Sequence, residues 1–216
     1  MMPLSLGPDR RRLRVLCLGA HADDIEIGCA GTVLRWIDQY EQVEFTWSVL
    51  SAVGARGEEA RLSAQALLRG SAAVDLVLGD FEDAQLPADF RRAKAFLEDL
   101  RGRAEFDVVL THSLDDRHQD HRLIAELTWQ CWRDHLILAY EIPKYEGDLG
   151  QPNFFVPLPR LIAERKVAHL LEHFGSQRSR DWFSEDTFRG LMRIRGLECR
   201  SGSGHAEAFH VRKAVI

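Results

Sequence analysis

Apolar residues fall in short runs that alternate with longer amphipathic stretches over the first two thirds of the chain. Residues 14–19 (RVLCLG) form a continuous apolar run of the kind a doubly buried strand requires. Over residues 28–39 the spacing changes, and Val33, Leu34, Trp36 and Ile37 recur at helical intervals. The same reading predicts strands at 43–50, 74–78, 107–111 and 136–141, with helices at 58–69, 89–103 and 119–133 between them. Such alternation with short connections predicts an α/β fold. Its sheet is mainly parallel, doubly wound in the order 3-2-1-4-5, with helices on both faces.

Beyond Ile142 the pattern loosens. Pro143, Pro152, Pro157 and Pro159 punctuate a loop-rich stretch that reads as a rim or lid. Helices are predicted near 161–174 and 184–195, and a closing strand at 206–212. No repeat or linker interrupts the chain, so residues 1–216 read as one domain, with 142–216 an elaboration of its C-terminal side.

Composition narrows the partners. Lys and Arg total 28 against 33 Asp and Glu, which gives no basis for a nucleic-acid partner. The one basic cluster, Arg10-Arg11-Arg12 with Arg14, reads as a solvated tail at a frayed N-terminus. The opening Met-Met-Pro-Leu-Ser-Leu-Gly-Pro lacks the basic-then-apolar order of a signal peptide. No apolar run approaches the roughly 18 residues that span a bilayer, so no stable membrane insertion is expected. Cys17, Cys29, Cys131 and Cys199 form no CxxC pair and read as reduced thiols, which points to the cytoplasm.

Two polar motifs stand out: His21-Ala22-Asp23-Asp24 after the first predicted strand, and Asp116-Arg117-His118-Gln119-Asp120-His121 after the fourth. In the predicted order these strands are neighbours. Ligands bind such sheets in the crevice at the carboxyl ends, where the winding direction reverses. The first loop is no dinucleotide site, because Asp23, Asp24 and Glu26 would repel a pyrophosphate. A cation suits it better.

Imidazole with carboxylate is a donor set for Zn²⁺, with Fe²⁺ the alternative. His21 and Asp24, three apart in a turn, can face one ion, and His121 can complete the set from the opposite loop. His118 shares a helical face with His121 and can approach a substrate. Asp23 is then free to act as general base. Asp120 and Asp116 suit an outer role, orienting His121 or His118. Each motif also has a plainer reading, Asp23 or Asp24 as a helix cap and His-x-x-His as surface decoration. Their meeting at adjacent strand ends weighs against it.

These residues carry a resemblance. Gly19-Ala-His21-Ala-Asp23-Asp24-Ile-Glu26-Ile-Gly28-Cys-Ala-Gly31 resembles the AHPDDxExGxGG motif of the PIG-L/LmbE-type zinc deacetylases, and Asp116–His121 is similar to their DxHxDH motif. Arg56-Gly-Glu-Glu59-Ala60 and Ala206-Glu207-Ala208-Phe209 are weaker matches, to RxxEA and AEAF. The resemblance runs from Leu16 to Phe209. It implies a Rossmann-like fold and hydrolysis of the N-acetyl group of an N-acetylglucosamine-type sugar or its conjugate. It also implies zinc on His21, Asp24 and His121, with Asp23 as base. His118 would stabilise the oxyanion as an imidazolium supported by a carboxylate such as Asp120, and Arg56 would lie at the substrate or acetate end. Ala22 departs from the family's proline and Ala30 from its second glycine, neither at a donor position. A homo-oligomer is in keeping with the family.

Weaker features remain. The segment 140–148, with Tyr145, could bind sugar hydroxyls, or be an ordinary exposed loop. His205 follows a Gly-Ser stretch that could bring it to the site. His135, His169, His173 and His210 read as surface or strand-end residues, Trp129 and Trp132 as core, and 176–180 as a solvated helix terminus. Two rival functions keep the same donors. One is a non-haem Fe²⁺ enzyme, a chemistry generally housed in β-barrels. The other is a non-catalytic carbohydrate-binding module, which would leave Asp23 and His118 without a purpose.

Overall fold

The structure is a computed structural model that describes residue 6 and residues 11–215. Most of the segment read against a signal peptide, and Arg10 of the basic cluster, lie outside the described residues. The elements run β1 (Arg12–His21), α1 (Asp24–Gln39), β2 (Gln42–Ser51), α2 (Gly54–Leu67), β3 (Ala73–Leu78), α3 (Phe90–Arg103) and β4 (Val108–His112). Next come α4 (Gln119–Cys131), β5 (Leu136–Tyr140), β6 (Phe154–Pro157), α5 (Arg160–His173), α6 (Glu185–Glu198) and β7 (Ala206–His210). The seven strands form one sheet in the order β3-β2-β1-β4-β5-β7-β6. The expected 3-2-1-4-5 arrangement is present, with neighbours parallel from β3 to β5. β7 closes the sheet antiparallel to both β5 and β6.

Side-chain alternation divides the interior into two layers. Leu13, Val15 and Cys17 of β1 join Val108, Leu110, Leu138 and Tyr140 in a core covered by α1, α2, α5 and α6. Leu16, Leu18 and Ala20, with Val109 and Ile137, face Leu97, Leu100, Ile124 and Leu127 of α3 and α4. Burying one such side chain is worth about 1.5–3 kcal/mol. A slip of one residue would exchange the two faces, so burial on both sides sets the register.

Three expectations need correction. α1 begins at Asp24 rather than near residue 28, because its first turn buries Asp24 and Glu26, which an apolar period cannot register. The proline-punctuated stretch contains β6, an edge strand whose Pro157 occupies a position that needs no donor on its outer side. The basic cluster is no solvated tail where it is described. β1 starts at Arg12, which pairs with Glu44 at 2.9 Å, and Arg14 pairs with Asp107 at 2.9 Å.

The position of α1 bears most directly on the polar crevice, since its N-terminus carries two motif carboxylates. Gly28 lets it lie against Tyr140, whose ring would overlap any Cβ there. The Tyr140 hydroxyl donates in turn to Leu18 O at 2.6 Å. Buried Glu207 accepts the amides of Gly31 at 2.8 Å and Thr32 at 2.6 Å, and pairs with buried Lys166 at 2.6 Å. Lys166 also donates to Ile27 O at 2.6 Å. The AEAF-like segment is therefore a strut beneath α1.

Candidate metal centre

β1 ends on His21 and its parallel neighbour β4 ends on His112, so both strands deliver an imidazole to one crevice. The Ala20 amide donates to His112 Nε2 at 3.0 Å, tying the two strand ends together. Between β1 and α1 the chain turns within two residues. Asp23 takes φ 110° and ψ −25°, a conformation that costs a non-glycine residue about 1–3 kcal/mol. Strain of that size is tolerated where the surroundings over-determine it.

The donors converge. His21 Nδ1 lies 3.1 Å from His121 Nε2. Asp24 Oδ2 is 3.4 Å from His21 Nδ1, and Asp24 Oδ1 is 3.4 Å from His121 Nε2. Ligands about 2.0–2.1 Å from a tetrahedral zinc stand about 3.3 Å from one another, so this trio has the spacing a zinc ion needs. His21/His118/His121 and Asp24/His112/His121 are also close enough for one ion, which marks the same small volume.

The outer ring nitrogens are held by carboxylates. His121 Nδ1 is 2.9 Å from Asp116 Oδ2. His21 Nε2 is 3.1 Å from Asp120 Oδ2 and 2.9 Å from Asp83 Oδ1. Each carboxylate is placed to take the ring's N–H on its own side, so that a ring which gives up its second proton to a metal turns its lone pair inward. The electrostatics agree. Burial opposes a charge on His21, yet Asp24, Asp120 and Asp83 hold its imidazolium well above the usual range. Burial would also push the Asp24 carboxyl up, but His121, His112 and His21 hold it well below its ordinary value. A cation entering here takes the place of a proton.

Asp23 faces different partners. Arg56 Nη2 lies 3.1 Å from Asp23 Oδ1 and also donates to Ala22 O. Burial raises the Asp23 carboxyl to about 7, against the pull of Arg56 and with a further push from Asp24. His118 caps α4, and its Nδ1 accepts the Asp120 amide at 3.3 Å. A neutral His118 therefore carries its proton on Nε2. Burial, His121 and His21 all lower its pKa.

Residues 16–132 match the family described as PIG-L, GlcNAc-PI de-N-acetylase. The chain belongs to the PIG-L family. Similar solved structures include N,N'-diacetylchitobiose deacetylase from Pyrococcus horikoshii, at 20% identity and TM-score 0.71, covering 92% of this chain and 83% of that one. The zinc-inhibited form of a teicoplanin deacetylase is similar at 12% identity and TM-score 0.72, covering 92% and 97%. So is the 4-carboxy-2-hydroxymuconate hydratase of Pseudomonas putida, at 19% identity and TM-score 0.72, covering 94% and 98%. At these identities the likeness is one of fold, and the hydratase shows the fold in a protein named for different chemistry.

Within this PIG-L fold the structure gathers His21, Asp23, Asp24, Arg56, His118, Asp120 and His121 in one crevice. One contact differs from expectation: the charge of Asp120 favours a protonated His118, but the hydrogen bonds described for its carboxylate go elsewhere. It turns to His21 and accepts the Ala84 and Leu86 amides at 2.8 and 3.2 Å. The contacts described for His205 are with Ser203 and Leu158, and those contacts do not reach the imidazole cluster. Tyr145 is 68% exposed. Three residues in and beside the crevice carry little signal in the sequence. His112 stacks on His121 at 3.9 Å between ring centroids, and its only mark is a polar residue at the end of strand 4. Asp83 lies in the loop after β3, outside both polar motifs. Ser176 is a third, joining Arg56 at 3.1 Å and Glu59 at 2.6 Å. His169 is also no bare surface residue, since its Nε2 is 2.8 Å from Ser63 Oγ.

Among the described residues, no helix is long and apolar enough to cross a membrane.

Proposed function

We propose that this chain is a metal-dependent hydrolase that removes the acetyl group from an N-acetylglucosamine-type sugar or its conjugate. His21, Asp24 and His121 hold the metal, zinc ahead of Fe²⁺. The observation that carries this is the inward pairing of His21 Nδ1 and His121 Nε2 at 3.1 Å, with Asp24 against both. Family membership supplies the reaction class. When bound, zinc would supply Lewis-acid polarisation of the amide carbonyl and an acidified water.

The chain's own groups divide the remaining work. Asp23, raised to about 7 by burial, accepts a proton from water near neutral pH. Such positioned bases contribute roughly 10²–10⁴-fold. Arg56 restrains the Asp23 carboxylate and stands at the substrate end of the crevice. His118, with Nδ1 occupied by the Asp120 amide, presents Nε2–H as a donor to the developing oxyanion. A donor so placed is worth about 3–4 kcal/mol. Asp120 and Asp116 orient His21 and His121. Asp83, with an exposed carboxylate beside His21, is suited to accept hydrogen bonds from sugar hydroxyls, and Tyr145 to lie along the sugar. We assign the whole activity to one domain acting on a small molecule in the cytoplasm.

Acetate release from a panel of N-acetylated sugars by zinc-loaded and chelated protein tests this reading. Release by the loaded form, lost on chelation, is expected. Protein with one equivalent of zinc and no turnover of any N-acetyl sugar would overturn it, in favour of a binding module or a different reaction on the same fold.

A further inference from the structure

The sequence suggests a sugar platform or an ordinary exposed loop after β5, and half of that segment is neither. Lys144 is 9% exposed in its side chain, and Asp148 and Asp116 are each 4% exposed. Lys144 Nζ lies 2.6 and 2.8 Å from the two Asp148 oxygens and 3.0 Å from Asp116 Oδ2. That same Asp116 oxygen faces His121 Nδ1 at 2.9 Å. The other Asp116 oxygen accepts the His118 amide at 2.8 Å, and Asp148 accepts the Arg117 amide at 2.6 Å. Two consecutive amides of the histidine-bearing loop thus hang on two carboxylates, and both carboxylates meet at one ammonium.

We propose that Lys144 is a positioning residue for the metal centre. It fixes Asp116, and through it His121 and the backbone of residues 117–118, to the loop that carries Tyr145. The inference rests on His121 being a metal ligand. Its physical basis is charge balance in a small buried volume. Without the ammonium, the two buried carboxylates lose the cation that joins them, and they separate. Asp148 would then release Arg117, and Asp116 would release the His121 N–H that sets its tautomer. Groups that orient a ligand histidine typically change metal affinity by about 10–100-fold when removed.

The test measures zinc affinity by competition with a chelator of known affinity, alongside thermal unfolding of metal-free and zinc-loaded protein. Lys144→Met keeps most of the stem volume and removes the charge. It should weaken zinc binding about ten-fold or more and shrink the rise in melting temperature that zinc confers. Lys144→Arg, which can also bridge two carboxylates, should restore most of both. A strut with no bearing on the metal would lower both melting temperatures equally and leave zinc affinity unchanged, and that result overturns the inference. If Lys144→Met does not fold, Asp148→Asn replaces it, with a smaller loss in the same direction expected and unchanged affinity again overturning. If the unaltered protein takes up no zinc, the ligand assignment beneath the inference falls first, an outcome distinct from equal affinity in wild type and variant.

Discussion

His21 Nε2 stands 3.1 Å from Asp120 Oδ2, although the two residues come from opposite walls of the crevice. The contact makes Asp120 the partner of a proposed ligand on the other loop, where a role beside His118 or His121 on its own loop was expected. Asp120 accepts the Ala84 and Leu86 amides as well, so it is held from three directions. Asp120→Ala leaves His21 Nε2 with the exposed Asp83 carboxylate in place of a buried one and should weaken zinc binding by about 10-fold or more. Chelator competition reads this directly, and unchanged affinity would show that His21 is oriented by something else.

Asp23 is strained and buried, next to the proposed donors. Asp23→Asn keeps a residue that tolerates positive φ and removes a carboxylate that burial raises to about 7. Zinc content and melting temperature should be retained while kcat falls by roughly 10²–10⁴-fold. Near-normal turnover with metal bound would remove Asp23 from the role of base.

Much of this was legible because doubly buried parallel strands advertise themselves as short apolar runs. The order 3-2-1-4-5 then places residues 21–24 opposite 116–121 with no further information. What escaped had a physical reason. Asp24 and Glu26 are buried polar residues in the first turn of α1, so they hid the helix start. His112 and Asp83 lie outside any recognisable spacing, and only the sheet brings them beside His21 and His121. Lys144 and Asp148 look like loop charges in sequence, and their burial against Asp116 is a tertiary fact. The partner of Asp120 could not be read either, since it depends on which way one side chain turns.

Arg56 lowers the Asp23 carboxyl while burial raises it. Activity that needs ionised Asp23 should rise with pH along an acid limb at or below about 7, because a bound cation also favours the carboxylate. Arg56→Met removes the restraining charge, so the limb should move to higher pH and kcat/KM at pH 6 should fall more than at pH 9. A uniform loss across pH would mean that Arg56 serves substrate binding alone.

Gly28 lies so close to Tyr140 that a Cβ would overlap the ring, including the Tyr140 Cβ, which cannot swing away. Gly28→Ala should cost about 1–3 kcal/mol through overpacking, seen as a lower denaturation midpoint. Because α1 carries Asp24, zinc affinity should fall with it. Gly102 has open space around it, and Gly102→Ala should stabilise slightly instead. Equal effects at the two sites would contradict the close approach.

A second polar trio, behind the first turn of α1 and within reach of the Asp23 and Asp24 charges, gives the metal-free protein its own pH dependence. Ser63 Oγ lies 2.5 Å from Glu26 Oε1 and 2.8 Å from His169 Nε2. Burial raises the Glu26 carboxyl from 4.5 to about 8. Burial, with His173, lowers His169 from 6.5 to about 3. The folded state therefore holds a proton on Glu26 that the unfolded chain gives up above pH 4.5. That contribution to stability is present at low pH and is lost as pH rises through about 8. For His169 the direction reverses. The unfolded chain takes up a proton below 6.5 that the folded state refuses, so stability is lost as pH falls from 6.5 towards 3. Each group can contribute a slope of at most about 1.4 kcal/mol per pH unit. In denaturant midpoints of metal-free protein the two slopes oppose each other between pH 4.5 and 6.5, so the wild type should be nearly flat there and fall between 6.5 and about 8. Glu26→Gln should flatten the fall between pH 6.5 and about 8 and uncover the His169 rise between 4.5 and 6.5, whereas His169→Gln should leave the Glu26 fall running from 4.5 to about 8. If either variant kept the wild-type slope, the corresponding group would be ionising alike in the folded and unfolded chains.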